Sequence, residues 1–90
     1  MVQAERFTYM VERSLPGITM EQLATAQGAA IKICEQTAGE VEYLRSIFAP
    51  EESSCRCLFS APSPEAVEKV NRDAGIPFDR IVKVLDLPHP

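Results

Sequence analysis

Apolar and polar residues alternate along four short segments of the chain, and these predict four β-strands. The first covers residues 6–14, where β-branched, aromatic and apolar residues are frequent, and Pro16-Gly17 then ends it. Residues 41–49 and 54–61 predict two more strands, and the four residues between them predict a hairpin turn. A β-branched and leucine-rich run over residues 80–87 predicts the last strand.

Two segments with helical periodicity lie between these strands. Thr19 and Gln22 form a capping box, so the first helix is expected to begin at about Met20 and to end near Gly39. Its apolar side is expected to contain Met20, Leu23, Ala26, Gln27, Ala30, Ile31, Cys34 and Ala38. Ser63 caps a second helix that has Pro64 at its first position and ends at Gly75. Its inward residues are predicted to be Ala66, Val67, Val70 and Ala74.

The order of the elements predicts the fold class. Two β-α-β units joined by a hairpin are typical of a ferredoxin-like α+β sandwich, βαββαβ, with a four-stranded antiparallel sheet and two helices on one face. A chain of 90 residues, 46% of them apolar, is large enough for one hydrophobic core and too small for two. We therefore expect a single ferredoxin-like domain over residues 1–90.

Charge and hydropathy narrow the classes of partner. The formal net charge is −4, which disfavours nucleic acid and anionic membranes as partners. No apolar run is long enough to cross a bilayer, and the N-terminal sequence MVQAERF lacks the apolar core of a signal peptide. The expected location is the cytoplasm.

The cysteines are the first candidates for chemistry. Cys34, Cys55 and Cys57 are an odd number in a chain with no sign of secretion, so reduced thiols are expected. Cys55 and Cys57 form a Cys-x-Cys on a strand, whose side chains project to one face and are candidate ligands for a soft metal ion. The alternative is that both are buried as small apolar residues. A metal site would need further ligands, and the sequence offers Cys34 as the other thiol and His89, in the C-terminal tail, as the lone imidazole.

Strand alternation divides the side chains between two faces of the sheet. The face toward the helices is predicted to hold Leu44, Ser46, Phe48, Cys55, Cys57 and Phe59. The opposite face is predicted to hold Glu12, Tyr43, Arg45, Ile47, Arg56, Leu58, Ile81, Lys83 and Leu85, with Val82 and Val84 inward. This mixed surface is either a homodimer interface or the floor of a cleft for a small anionic or apolar ligand. Glu12 is expected to balance the charge of Arg45, within one subunit or across the dimer.

Four phrases of the sequence, FTYMVERSLPG, VEYLRSIF, CLFSAPSPEAV and DAGIPFDRIVKV, carry a resemblance that spans nearly the whole chain. They resemble a family of small, largely uncharacterised bacterial domains whose described members are called nickel-binding or nickel-responsive proteins. The resemblance implies a ferredoxin-like fold, dimerisation and a divalent metal, nickel, as the cofactor.

Several positions of the chain match that family's pattern. The Phe-x-x-x-Val-Glu-Arg start matches Phe7, Val11, Glu12 and Arg13, the hairpin serine matches Ser46, the strand cysteine matches Cys57, and the Gly-x-Pro corner matches Gly75 and Pro77. Many relatives carry histidines where this chain has Arg45 and Val70. Since both imidazoles are missing, nickel is predicted to bind this member weakly or not at all.

These observations support two hypotheses of function. The first is a non-enzymatic homodimeric module that binds a metal ion or a small ligand, with Glu12, Tyr43, Arg45, Ser46 and Cys57 as candidate ligand-binding residues. The second is a cofactor-independent enzyme, isomerase-like or oxygenase-like, that acts in a cleft of a dimeric α+β barrel. The sequence assigns no catalytic residues.

Overall fold

A computed structural model describes residues 5–90. The elements are β1 (Phe7–Ser14), α1 (Met20–Glu35), β2 (Glu42–Ala49), β3 (Ser54–Ala61), α2 (Pro64–Asp73) and β4 (Arg80–Val84). The order βαββαβ is the predicted one. Residues 1–4, the start of the N-terminal segment in which no signal peptide is predicted, lie outside the described residues.

The four strands form one antiparallel sheet in the order β2-β3-β1-β4. Strands β1 and β3 occupy its centre, and both helices pack on the same face of the sheet. The hairpin register is also the predicted one, with Ser46 opposite Cys57 and Phe48 opposite Cys55. The prediction of a ferredoxin-like α+β fold is confirmed.

Helix α1 begins where the sequence places it. The Thr19 side chain accepts a hydrogen bond from the Gln22 backbone N–H, and the Gln22 side chain accepts one from the Thr19 backbone, which completes the capping box. The helix ends at Glu35, before the predicted Gly39. Thr37 bonds the last turn by donating from its hydroxyl to the Cys34 carbonyl, and Ala38 and Gly39 then take positive φ values of 55° and 89°, which cannot continue a right-handed helix.

A β-bulge in β2 changes the predicted faces of two residues. Tyr43 lies opposite Phe59, whereas Arg45 lies opposite Leu58, so the pairing shifts by one residue between them. Tyr43 therefore faces the helices, and Leu44 is 42% exposed. The predicted outward Tyr43 and inward Leu44 are both wrong, because simple alternation assumes an unbroken ladder.

The predicted parity of β4 is also wrong. Ile81 lies opposite the buried Val11, and Val82 lies opposite Met10 on the other face. Lys83 consequently holds an inward position at the edge of the sheet, with its Nζ 3.7 Å from the centre of the Phe7 ring, and a cation over an aromatic ring is a favourable contact. Strand β4 stops at Val84, which lies opposite Thr8, the second residue of β1.

The hydrophobic core lies between the sheet and the two helices. The central strands contribute Val11 and Phe59, both fully buried, and α2 contributes Val67 and Val70. Arg13 and Asn71 are the buried polar or charged residues among residues 5–90. This pair marks the end of the core where the candidate site lies.

Candidate functional site

A cavity of about 230 Å³ lies between α1 and the sheet. Its walls are mainly apolar, and its lining includes Leu15, Leu23, Ala26, Ala30, Phe48 and Ile76. Its polar lining residues are Arg13, Gln27, Tyr43 and Ser46, together with the thiols of Cys55 and Cys57. Lining residues range from buried Cys55 to Met20, which is 70% exposed, so the cavity has a buried end and a solvent-facing mouth.

A row of hydrogen bonds crosses this cavity from α1 to β3. The Gln27 amide Nε2 donates to the Tyr43 hydroxyl over 2.8 Å, and the Tyr43 and Ser46 hydroxyl oxygens are 2.5 Å apart. Ser46 in turn donates to the Cys57 Sγ over 3.0 Å. Because Gln27 donates to Tyr43, the Tyr43 hydroxyl hydrogen is available for Ser46, and the whole row can point toward Cys57.

The bulge in β2 makes this row possible. Regular alternation would place Tyr43 and Ser46 on opposite faces of the sheet, since they are three residues apart. The extra residue inserted at Leu44 brings both hydroxyls to the helix-facing side, where they meet Gln27.

The two thiols at the buried end of the cavity are neighbours on β3. Their Sγ atoms are 3.7 Å apart, far beyond a disulfide bond of about 2.05 Å, and all three cysteines are free and buried. Burial raises the pKa of Cys55 to about 11, with a further contribution from Cys57, and burial also raises the pKa of Cys34 to about 11. Cys34 and Cys55 are therefore neutral thiols at pH 7.

The same thiols have part of the geometry of a metal site. A tetrahedral ion with metal–sulfur bonds of about 2.3 Å separates two thiolate sulfurs by about 3.8 Å, which is near the observed spacing. Such an ion needs further ligands, however. Across residues 5–90, no group of three or more His, Cys, Asp or Glu side chains is arranged to hold a metal ion.

Arg13 lines the cavity from β1 and is only 3% exposed. Its guanidinium donates to the Asn71 Oδ1 over 2.8 Å and to the Pro77 carbonyl over 3.2 Å. Asn71 is held in turn, because its Nδ2 donates to the Val67 carbonyl. Within the described residues, no carboxylate lies within salt-bridge distance of Arg13.

A second charged cluster lies on the other face of the sheet. Glu12 accepts hydrogen bonds from Arg56 on β3 and Arg80 on β4, which flank it on the two neighbouring strands. The Arg80 hydrogen bond is the main reason that the pKa of Glu12 lies below its ordinary value, and Arg56 lowers it further. Arg45 is instead 3.9 Å from Asp86, and both side chains are largely exposed. The predicted Glu12–Arg45 pair is therefore wrong within one chain.

The structure thus divides the five predicted ligand-binding residues between two faces. Tyr43, Ser46 and Cys57 meet in the cavity, where the candidate metal ligand Cys55 also lies. Glu12 and Arg45 lie on the open face, without contact to that group or to each other.

Sequence reasoning missed the roles of Arg13 and Asn71. Arg13 shares the parity of Tyr9 and Val11 on β1, so alternation alone could have placed it inward. Asn71 follows Val67 by four residues on α2, which places it on the same buried side of that helix. A charged or amide side chain is ordinarily assigned to the surface, so the sequence pattern does not predict that either residue is buried.

The family model described as "Nickel responsive protein SCO4226-like" matches residues 9–84. The crystal structure of SCO4226 from Streptomyces coelicolor A3(2) superimposes with a TM-score of 0.78 at 29% sequence identity, covering 89% of this chain and 99% of that one. No curated protein matches the chain significantly. Within the described residues, no helix has the length and apolar character needed to span a membrane.

Proposed function

We propose, from the premise that this chain belongs to the SCO4226-like family of nickel responsive proteins, that it is a non-enzymatic module which binds a small organic ligand between α1 and the sheet. The row of hydrogen bonds from Gln27 to Cys57 carries the proposal. It supplies polar groups to a cavity whose walls are mainly apolar, the usual composition of a small-molecule site.

The volume of the cavity limits the ligand's size. Drug-sized ligands occupy pockets of roughly 300–1,000 Å³, and this cavity, at about 230 Å³, is smaller. A single ring or a short branched chain is therefore the appropriate scale. The polar row offers it one or two hydrogen bonds near the mouth, at Gln27 and Tyr43.

The family's description names nickel, and the described residues do not fit a nickel site. Nickel(II) sites in proteins typically use imidazole nitrogen and other nitrogen or oxygen ligands. The cavity instead offers two thiols, and the pKa of Cys55 is about 11. A third His, Cys, Asp or Glu ligand is missing there among residues 5–90. The proposal therefore uses an organic ligand and no metal, and weak or absent nickel binding stays a prediction.

The enzymatic alternative receives less support from the structure. A pocket enclosing Glu12, Tyr43 and Arg45 would favour it, but Tyr43 lies on the opposite side of the sheet from the other two. Burial keeps Cys55 a neutral thiol, which is a poor nucleophile. We retain the binding module as the function.

A cavity-filling substitution tests the proposal. Ala26 lines the cavity from α1, and Ala26→Leu would place three more carbon atoms in it, whereas Ala24 is exposed on the same helix and gives a matched control. Phenol, a small ring with one hydroxyl, is a suitable probe for titration by NMR. Ala26→Leu should weaken phenol binding at least tenfold, and Ala24→Leu should leave it unchanged. If folded Ala26→Leu binds phenol as well as the wild type does, the cavity is not the site.

A further inference from the structure

Arg13 is a buried cation whose protein partners are neutral. The amide oxygen of Asn71 and the carbonyl of Pro77 accept from it, and neither carries a charge. A guanidinium has five N–H donors arranged as a planar fork that matches a carboxylate. Removing such a charge from water is costly unless an opposite charge accompanies it.

Side chains that would be expected to balance this charge are occupied or neutral. Glu12 and Asp79 share a surface groove with Arg13, but Glu12 is bound by Arg56 and Arg80, and Asp79 accepts a hydrogen bond from the Ser14 hydroxyl. The Cys55 thiol is close enough for Arg13 to lower its pKa, yet burial outweighs that effect and keeps the thiol protonated at pH 7. The buried end of the cavity is therefore electropositive.

We infer that the ligand of this cavity is an apolar carboxylate, with its carboxylate group bound by Arg13 at the buried end and its hydrocarbon part against the walls of α1 and β2. The inference rests on the proposed function, since it takes the cavity as the ligand site. It adds the chemical class of the ligand. The walls formed by Leu23, Ala30 and Phe48 favour a hydrocarbon body over a bare inorganic anion.

The position of Arg13 also explains why a neutral ligand would be at a disadvantage. A carboxylate that displaces water from the guanidinium exchanges one set of hydrogen bonds for a charge-assisted pair, in surroundings where the effective dielectric constant is low. A neutral amide of the same shape offers a single acceptor and no charge. The site should therefore discriminate between two ligands that differ only in this group.

Calorimetric titration with benzoate and benzamide tests the inference, because the two probes have nearly the same shape and differ in charge. The wild type should bind benzoate at least tenfold more tightly than benzamide. Arg13→Gln should remove that preference, and Arg45→Gln, which deletes an exposed cation of the open face, should preserve it. If Arg13→Gln does not fold, Arg13→Lys takes its place in the test. This variant keeps the charge and loses the planar fork, so its preference for benzoate should be intermediate.

These titrations distinguish a failure of the carboxylate inference from a failure of the cavity as the ligand site. Equal binding of both probes, abolished by Ala26→Leu, would overturn the carboxylate inference and leave the cavity as the ligand site. Benzoate preference that survives Arg13→Gln, or that disappears in Arg45→Gln, would also overturn it. If neither probe nor phenol binds, the proposed function fails together with the inference.

Discussion

At the residue scale, Glu12 is the most strongly paired acidic side chain on the open face of the sheet. It accepts from guanidinium groups on both neighbouring strands, and the Arg80 hydrogen bond is the largest cause of its lowered pKa. A carboxyl group whose pKa is lower in the folded state than in the unfolded chain stabilises the fold above the unfolded pKa. That stabilisation is lost as the pH falls through the folded pKa.

Glu12→Gln therefore tests this cluster through its pH dependence. The variant should be less stable than the wild type at pH 7, and the difference in the free energy of unfolding should shrink as the pH falls from the ordinary value of 4.5 toward 3. Urea denaturation at both pH values measures it. Asp86→Asn, which removes the exposed partner of Arg45, is the control and should show little change at either pH. A difference that stays constant with pH would show that the Glu12 charge does not stabilise the fold.

Residues of the candidate site differ in how far the sequence predicts them. Cys57 and Ser46 follow from hairpin register, because a four-residue turn fixes which residues face each other. Tyr43 is predicted as a ligand-binding residue but on the wrong face, because alternation fails at the Leu44 bulge and no turn residue in the sequence indicates that bulge. Arg13 is missed because the cost of burying a charge argues against an inward position, and only the surrounding tertiary structure supplies Asn71 and the Pro77 carbonyl.

At the element scale, α1 provides one wall of the cavity, and its first turn is fixed by a capping box. Replacing an N-cap threonine with alanine typically costs about 1 kcal/mol of stability, because a backbone N–H loses its acceptor. Thr19→Ala should therefore destabilise the protein by roughly that amount. Urea denaturation provides the measurement.

Thr25→Ala is the matched control for that prediction. The Thr25 hydroxyl donates back to the Glu21 carbonyl within the helix, an interaction that does not favour the helix, and alanine is the better helix former. Its effect should be neutral or slightly stabilising. Equal losses of stability in the two variants would mean that the cap contributes nothing specific.

Local sequence predicts the central strand β3 better than the edge strand β4. Residues 54–61 were predicted with their observed bounds, since the strand pairs on both sides and has a clear turn before it. The edge strand β4 was predicted three residues too long and with reversed faces. Its hydrophobic pattern, IVKVLDL, is compatible with either parity, and the choice is made by pairing with β1 far away in the sequence.

At the scale of the whole molecule, the sheet face away from the helices has no covering layer within residues 5–90. It carries Ile47, which is 58% exposed, beside the charged cluster of Glu12, Arg56 and Arg80. A second copy of the chain is the occupant that we expect there, since a dimer would cover the exposed apolar groups while leaving Glu12 its two internal partners.

Light scattering tests this dimer directly. The wild type should have about twice the 10.0 kDa mass of the chain, and Ile47→Lys should shift it toward the monomer by placing a charge in the interface. Leu87→Lys is the control, since Leu87 is 84% exposed in the segment after β4. A wild-type mass of one chain at tens of micromolar would show that the dimer prediction is wrong.

The proposed ligand site lies between α1 and the sheet and not on the open face. An NMR titration of the wild type with benzoate, followed at the backbone amides, locates the site most directly. We predict that the largest shifts occur at cavity residues, at Arg13, Gln27 and Ser46 above all. Saturable shifts confined to the open face, around Ile47 and Arg56, would contradict a ligand site in the cavity.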